Sequence, residues 1–318
     1  MKHLHKLLLP VTIVLLFIGQ VTAQEFKLPK KRVRCYTDEY LQDLRTKNPS
    51  VMSNQDFEAW LQPLIYQFKK NQNAGAQNGT TVSYKVPIVF HIINNGEPEG
   101  VRTNISQTLV QQEVLQLNKD YANLSNSPYA VAANTGIQFG LAAVDPNGVT
   151  LAEPGIDRQD LASHGWTDSS TFDCGNSAGY FWTTIKPATI WDPTKYVNVW
   201  VCDMSYASLL GIATFPTSST LQGLTPATET ATNAGVIVDF TSVGSVNVTN
   251  PNSLNSKNQC GSNVYSMGKT ATHELGHFFG LRHIWGDGTS TTTCATDYAN
   301  DTPPSLVANY GTPQGKRI

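Results

Sequence analysis

The feature that most constrains this chain is the run HELGHFFGLRH, which holds three of its seven histidines. In a helix, His273 and His277 lie four residues apart on one face, where both imidazoles can reach one tetrahedral cation. Glu274 is placed to contact a water on that metal rather than the metal itself. Gly280 lets the backbone leave the helix sharply, which can bring His283 round as a third ligand. Three neutral nitrogens with an open fourth position are typical of a catalytic zinc site.

The alternative is coincidence or an inactive relic, because a bare His-Glu-x-x-His pattern can arise on any amphipathic helix. The longer pattern fixes five positions, three of them His. Composition gives it a chance occurrence on the order of one in a hundred thousand for a chain of this length. The opposite side of the helix is apolar and is predicted to face the core through Ala271, Leu275, Phe278 and Phe279. The pattern therefore favours a zinc hydrolase.

Charge and cysteine content limit the class of protein further. The net charge is −2 and only 14% of the residues are charged, so the chain lacks the basic surface expected of a nucleic-acid-binding protein. The five cysteines are an odd number, and in an oxidising compartment at least one of them lacks a partner within the chain.

Residues 1–23 are typical of a secretory signal peptide. A basic start is followed by an apolar run at 7–18 and by small residues before position 24. The alternative, a membrane anchor, is disfavoured because about twelve apolar residues are too few to span a bilayer. We therefore predict a secreted, extracellular protein with no membrane insertion after cleavage.

Residues 24–82 differ in character from the rest of the chain and predict a small helical pro-segment. Helical periodicity runs through Tyr40 and Leu44 and again through Phe57 and Leu61. The Asn/Gln/Gly-rich stretch 71–78 predicts a flexible linker. An ordinary N-terminal subdomain is the alternative. The domain division predicted from the sequence is thus 1–23, 24–82 and 83–318.

The remainder predicts an α/β domain. Strands are predicted at 86–93, 136–144, 196–202 and 235–240, with a backing helix at 106–121. A short strand at 210–216 suits a sheet edge, because Pro216 lacks the donor that an interior strand needs. Residues 151–193 are predicted to be loop-like. The result is a mixed sheet with a backing helix and with an active-site helix across one face.

Past His283 the chain is polar and rich in turns. Asp297 and Asp301 lie in an irregular loop, where carboxylate oxygens can bind calcium. A solvated loop in which these residues cap turns is the alternative.

From Val86 onward the sequence resembles the pappalysin family of metzincin metallopeptidases, and most of all its cytophagalysin- and ulilysin-type members. The zinc motif carries the resemblance, together with the segments VWVC, GIATFP and GVIV and with Cys294, Asp297 and the run DTP at 301–303. The resemblance covers about three quarters of the chain and implies a metzincin-like zincin fold.

The resemblance implies roles for individual residues. It implies that the zinc ligands are His273, His277 and His283 and that the general base is Glu274. The stretch 211–214 becomes an upper-rim strand against which a peptide substrate lies extended, held by main-chain hydrogen bonds. The residues of this predicted substrate-binding strand are Gly211, Ile212, Ala213 and Thr214. Family members also bind calcium after the third histidine, which favours Asp297 and Asp301 as ligands.

Cys35 is similar in position to a pro-segment cysteine that caps zinc in some relatives. A thiolate on the fourth coordination position would keep the enzyme silent. The family motif usually has a small residue after the cysteine, whereas this chain has Tyr36. A disulfide with another cysteine is the alternative.

One departure from the family pattern is large. Metzincins carry a methionine turn beneath the zinc, downstream of the third histidine. All four methionines here, at 1, 52, 204 and 267, precede His283. A fragment without its C-terminal part is one interpretation, and a naturally short form with a weakly supported zinc site is the other.

The sequence thus predicts a secreted zinc endopeptidase, from a Gram-negative bacterium, that acts on proteins or peptides. Its oligomeric state is not readable from the sequence. A catalytically inactive zinc-binding module and a zinc hydrolase of another class, such as an amidase, are the alternatives.

Overall fold

The computed structural model describes residues 33–76, 83–127, 129, 132–166, 179–205, 207–216, 232–248, 250–252, 265–288, 290 and 292–308. All of them belong to one of the two units into which the chain divides, Lys31–Ile318. The predicted signal peptide at 1–23 lies outside the described residues. Within the described part, none of the helices has the length and apolar character that spanning a bilayer requires.

Five helices and six strands make up the described part of the chain. The helices are α1 Thr37–Lys47, α2 Asn54–Ala76, α3 Gln107–Tyr121, α4 Lys186–Thr189, which continues a π turn at Phe181–Ile185, and α5 Lys269–Phe278. The strands are β1 Tyr84–Asn94, β2 Ile137–Leu141, β3 Ile156–Asp160, β4 Val197–Cys202, β5 Gly211–Ala213 and β6 Val236–Asp239. Short 3-10 turns lie at Ala162–His164 and Phe240–Ser242.

The strands form one mixed sheet in the order β2-β1-β4-β6-β5, with β3 paired to the second half of β1. All pairings are parallel except β5–β6, which is antiparallel and places β5 at the edge. This confirms the predicted α/β fold with a twisted mixed sheet, and the predicted edge position of the strand before Pro216.

Alternation along β1 explains how the helices are placed. Ile88, Phe90 and Ile92 belong to the main core cluster, in which α3 and α5 also bury their apolar faces. Val89 and Ile93 point to the opposite face, into separate clusters. Because successive strand side chains face opposite sides, this run, which is apolar except for His91, can be buried on both faces only inside the sheet.

One predicted loop contains a strand. Residues 151–193 show no periodicity in the sequence, yet β3 pairs with β1 in parallel, with Ile156 opposite Phe90. The β3 sequence, IDRQD, is polar because its side chains serve contacts rather than a core. Asp157, for example, lies 2.8 Å from the buried ring of His91. Tertiary pairing overrides weak strand propensity here, so the loop prediction is wrong at 156–160. It is also wrong at 181–189, where the π turn and α4 lie.

The predicted linker begins too early. Helix α2 continues through Ala76, so residues 71–76 are helical rather than flexible, and residues 77–82 lie outside the described residues. An established helix adds each further residue at little cost, so α2 extends through a stretch that holds Asn and Gly as well as Gln and Ala. The assignment of 24–82 as a pro-segment stays a prediction.

Glu113 links α3 to the loop after the 3-10 turn at Phe240–Ser242, and this loop contacts the residue before α5. It is fully buried, and Oε2 accepts a 2.7 Å hydrogen bond from the Gly244 N–H. A Cβ on Gly268, just before α5, would lie 2.6 Å from the Gly244 carbonyl, so the two loops are in close contact. Burial raises the pKa of the Glu113 carboxyl to about 8.

This buried acid predicts a pH-dependent stability. A folded-state pKa raised from 4.5 means that the contribution of Glu113 is complete below about pH 4.5 and is lost as the pH rises through about 8. We expect Glu113→Gln to match the wild type at pH 5 and to be more stable at pH 8.5, by on the order of 2–4 kcal/mol. Urea unfolding at both pH values measures this. The same change at Glu99, which is half exposed, is the control, and equal pH profiles for wild type and Glu113→Gln would contradict the assignment.

Candidate metal centre

Helix α5 carries the first half of the motif and is fixed by its core-facing side. Ala271 and Leu275 are buried in the main cluster, and Phe278 packs against it. Phe279, predicted to face the core, lies just past the helix end and is 37% exposed, although its ring still lies near Tyr121. The opposite face of the helix presents His273 and His277, one turn apart.

The helix ends in the way that Gly280 predicts. Gly280 has φ +95, a left-handed conformation that glycine adopts readily. The N–H of Leu281 donates back to the carbonyl of Gly276 at 2.9 Å, as in a Schellman C-cap. This turn reverses the chain and returns His283 to the face of α5 that carries the other two histidines.

The three Nε2 atoms converge on one point. His277 Nε2 lies 3.1 Å from His273 Nε2 and 3.2 Å from His283 Nε2, and the third separation is also 3.2 Å. Two nitrogens bound to one tetrahedral zinc at about 2.0–2.1 Å lie about 3.3 Å apart, so the spacing fits a shared zinc ion.

Hydrogen bonds on the far side of two rings fix which nitrogen faces the centre. His277 Nδ1 lies 2.8 Å from the Leu281 carbonyl, and His283 Nδ1 lies 2.5 Å from Asp287 Oδ1. Each of these oxygens is an acceptor, so Nδ1 carries the proton and the Nε2 lone pair faces the centre. Burial lowers the pKa of His277 to about 3, so this ring is neutral, as a metal ligand must be. Lone pairs that face one another repel unless a cation lies between them. The three histidines therefore fit the zinc ion that the motif implies.

Glu274 lies beside the histidines with no exposed surface. Its Oε2 accepts a 2.8 Å hydrogen bond from the Thr37 hydroxyl, and its Oε1 has no hydrogen-bond partner among the described residues. The carboxylate packs against β5, where a Cβ on Gly211 would lie 2.7 Å from Oε1. Burial raises the pKa of Glu274 to about 8, against the hydrogen bonds from Thr37 and Cys35, which lower it.

Cys35 joins the histidines from the N-terminal side. Its sulfur and the three imidazole nitrogens all lie within 4.8 Å of one another, the only such group of metal-binding side chains among the described residues. Cys35 and Cys294 are free thiols, whereas Cys174 and Cys260 lie outside the described residues. Burial, and then the charge of Glu274, raise the pKa of the Cys35 thiol well above its usual value. A thiolate at this position therefore needs a cation in the centre.

The predicted substrate strand is β5, and its outer edge is covered by residues 33–37. The Gly211 carbonyl accepts from the Tyr36 N–H at 3.1 Å, and the Ala213 N–H donates to the Thr37 hydroxyl at 2.8 Å. Ile212 is paired with β6 on the other side, in the alternation expected of an edge strand. All the residues of the predicted substrate-binding strand, including Thr214, are buried in this arrangement.

The two aspartates predicted to bind calcium lie apart from the histidines. Asp297 Oδ1 accepts a 3.0 Å hydrogen bond from the Ala299 N–H and so caps a turn, and Asp301 is exposed. Neither belongs to a cluster of metal-binding side chains within the described residues. A calcium role for them stays a prediction.

Two further residues touch the site and escape sequence reasoning. Thr37 contacts Glu274 from a point 237 positions away along the chain, and no local pattern marks such a contact. Asp287 lies four residues after His283 in a Gly-Asp-Gly turn, a spacing that could have suggested a partner for the histidine.

Comparison with known proteins agrees with this geometry. The family model Peptidase M43, described as pregnancy-associated plasma protein-A, matches residues 183–312. An extracellular metalloprotease of Arthroderma benhamiae is 25% identical over 239 residues, which cover 75% of this chain and 61% of that protein. Another from Arthroderma otae is 31% identical over 120 residues, or 38% of this chain and 36% of that protein. The chain therefore spans less than two thirds of the length of these curated relatives.

A promirolysin mutant from Tannerella forsythia has a similar solved structure, with a TM-score of 0.51 and 25% identity. The match covers 85% of this chain and 75% of that one. Mirolysin is a metallopeptidase of the pappalysin family, and the match extends over the mixed sheet and helices described above. Sequence motif, fold and the convergence of the histidines agree with the match of residues 183–312 to the M43 (pappalysin) family of metallopeptidases.

Proposed function

We propose that this chain is a secreted zinc-dependent endopeptidase whose metal is held by His273, His277 and His283. The observation that carries the proposal is the convergence of three Nε2 atoms within 3.1–3.2 Å, beside a buried carboxylate and a sheet edge. Its relatives are named as extracellular metalloproteases. Export through residues 1–23 and a Gram-negative source remain predictions from the sequence.

The chain's own residues divide the work of peptide hydrolysis. When bound, zinc supplies a Lewis acid that polarises the scissile carbonyl and lowers the pKa of water. Glu274 takes the proton of the attacking water and passes it to the leaving amine. The outward Gly211 carbonyl and Ala213 N–H hold the substrate backbone as an added strand.

A sheet edge favours this reaction over that of another zinc hydrolase, such as an amidase. An extended peptide needs a row of main-chain partners, which β5 offers, whereas a small amide does not. The inactive zinc-binding module predicts metal binding without turnover. Calcium binding by Asp297 and Asp301 is a separate proposal, supported only by family resemblance.

The test is hydrolysis of a denatured protein by the full chain, before and after limited proteolysis by a second protease. We expect cleavage that a chelator abolishes and added zinc restores, because the proposed reaction depends on the metal that the three histidines hold. Turnover of a small amide but not of protein would favour the amidase. Bound zinc with no turnover of either would favour the inactive module.

The segment before β1 supports a proposal of latency. Cys35 lies where a fourth ligand would bind, and residues 33–37 cover the substrate edge. Helix α2 adds an ion pair from Glu58 to Arg282 at 3.5 Å and an edge-on contact of Phe57 with Phe215. We infer that residues 33–76 keep the unprocessed chain silent.

Replacing the thiol should weaken this block. We expect Cys35→Ser to raise the activity of the unprocessed chain by about tenfold or more, which needs only about 1.4 kcal/mol of lost zinc–sulfur affinity. The measurement is protein hydrolysis by the intact chain, with intactness checked by mass. Cys294→Ser is the control, because that cysteine is exposed and lies outside the metal-binding group. Equal activities for wild type and Cys35→Ser would contradict a thiol block.

A further inference from the structure

Asp287 takes no part in the reaction proposed above, yet its carboxylate lies 2.5 Å from His283 Nδ1. We propose that Asp287 is a positioning residue that fixes the tautomer and orientation of the third zinc ligand. This rests on the proposed zinc function. With the proton held on Nδ1, the Nε2 lone pair of His283 faces the centre.

The backbone around Asp287 is built to hold that carboxylate in place. Asp287 adopts φ +55, a left-handed conformation that few side chains favour. The glycines on either side, Gly286 and Gly288, lie in close contact with the loop at residues 295–296. A Cβ on Gly286 would lie 2.5 Å from the Thr296 carbonyl, and one on Gly288 would lie 2.7 Å from the Ala295 Cβ. Such a backbone persists only where its surroundings over-determine it.

A second contact fixes the face of the same ring. Trp285 stacks on His283 with a centroid separation of 4.1 Å and an interplanar angle of 10°. His283 thus has one edge held by Asp287 and one face held by Trp285. His283 is the ligand that lies outside α5, so it lacks the support that the helix gives to His273 and His277.

Zinc affinity measures this role without relying on catalysis. The full chain is titrated against a chromogenic chelator to give a zinc dissociation constant for wild type, Asp287→Asn and Asp287→Gly. Asn and Gly both tolerate the left-handed backbone, so the fold is kept. We expect roughly tenfold weaker binding for Asn, which still accepts the hydrogen bond, and up to about 100-fold for Gly. Asp192→Asn, which removes an exposed charge outside the metal-binding group, should stay within about twofold.

The outcomes separate the two proposals. Zinc affinity of Asp287→Gly within about twofold of wild type would overturn the positioning role and leave the zinc function standing. Failure of the wild type to bind zinc would overturn both. Zinc affinity of Asp287→Asn between those of wild type and Asp287→Gly supports the role. A purely structural defect would not depend on whether the side chain at 287 can accept the hydrogen bond from His283 Nδ1.

A separate observation concerns Thr37. Its hydroxyl donates to Glu274 Oε2 at 2.8 Å and accepts from the Ala213 N–H at 2.8 Å, and the residue is 3% exposed. We infer that Thr37 is a latch that occupies the proposed base and the substrate edge at once. In the proposed reaction Glu274 meets the attacking water, and Ala213 meets a substrate carbonyl. One hydroxyl takes both places, and the N–H of the same residue donates to Cys35 Sγ at 3.4 Å.

The surroundings show how the latch is held. Residues 33–37 run along the edge that leads into β5, with the Val33 N–H donating to Ser208 and the Leu210 N–H donating to Val33. Thr37 is also the first residue of α1, whose Tyr40 stacks on Trp182 with a centroid separation of 4.2 Å. Helix α1 therefore anchors the hydroxyl from behind.

Labelling of Cys35 reports opening of the latch without any turnover. The intact, zinc-loaded chain is treated with iodoacetamide, and modification at each cysteine is followed by peptide mass spectrometry. We expect Thr37→Val, which keeps the shape and loses the hydroxyl, to speed Cys35 labelling by about tenfold or more, because two buried hydrogen bonds are lost. Thr37→Ser should stay close to wild type. Cys294, which is exposed, serves as the internal reference.

A control and an activity measurement complete the test. Thr46→Val changes an exposed threonine at the far end of α1 and should label like wild type. The intact Thr37→Val chain should also hydrolyse protein faster than wild type. Unchanged Cys35 labelling in Thr37→Val would overturn the latch. Faster labelling without any hydrolysis would support the latch and count against the proposed peptidase.

Discussion

Glu274→Gln is expected to lower the rate of protein hydrolysis by ~10²–10⁴-fold while leaving zinc bound, because the amide keeps the shape of the side chain but cannot accept a proton. Glu274 is fully buried beside the histidines without being one of the three converging ligands. The rate is measured on a denatured protein after limited proteolysis by a second protease, so that self-processing is not required. Zinc content is measured on the same preparation.

Two comparisons make this result specific. Glu113→Gln removes another fully buried carboxyl, on α3, and should keep full activity at neutral pH. Near-wild-type hydrolysis by Glu274→Gln would show that another group accepts the proton. Loss of zinc together with activity would instead assign Glu274 a part in holding the metal.

Gly211→Ala is expected to reduce activity by about 100-fold with little change in folding. The new Cβ would lie 2.6 Å from Glu274 Cγ and 2.9 Å from Cδ, so the carboxylate must move by a large fraction of an ångström. A misplacement of about 1 Å at a catalytic group costs on the order of 10²-fold in rate. The measurement is the rate after proteolytic processing, together with the melting temperature.

Gly140 offers the matched control for this substitution. It is also a strand glycine, in β2, and a Cβ there meets no atom within 4 Å. Gly140→Ala should therefore keep its activity. Full activity of Gly211→Ala would mean that Glu274 can relax away from β5, and that the contact does not position the carboxylate.

Local pattern was enough to predict the parts of the fold that are strongly periodic. The apolar run at 86–93 became β1, and the helical spacing of Val110, Val114 and Leu117 became α3, because both patterns are buried against the same core. The His-Glu-x-x-His spacing predicted two histidines on one helix face, and Gly280 explained the return of His283. These features depend on residues close together in the sequence.

The parts that could not be predicted depend on distant partners. β3 is polar and becomes a strand only because β1 lies beside it. Thr37 reaches Glu274 only after α1 docks against β5, and the role of Cys35 depends on the same docking. Sequence periodicity carries no information on such contacts, although family resemblance pointed to Cys35.

The central claim is that three imidazoles bind one zinc ion, and X-ray absorption at the zinc edge tests it most directly. For the intact chain we predict one zinc with three nitrogen neighbours at about 2.0–2.1 Å and one sulfur at about 2.3 Å, with the sulfur absent in Cys35→Ser. His283→Ala should reduce the nitrogen count or abolish retention of the metal. A chain that retains no zinc, or whose zinc neighbours are unchanged by His283→Ala, would contradict the account.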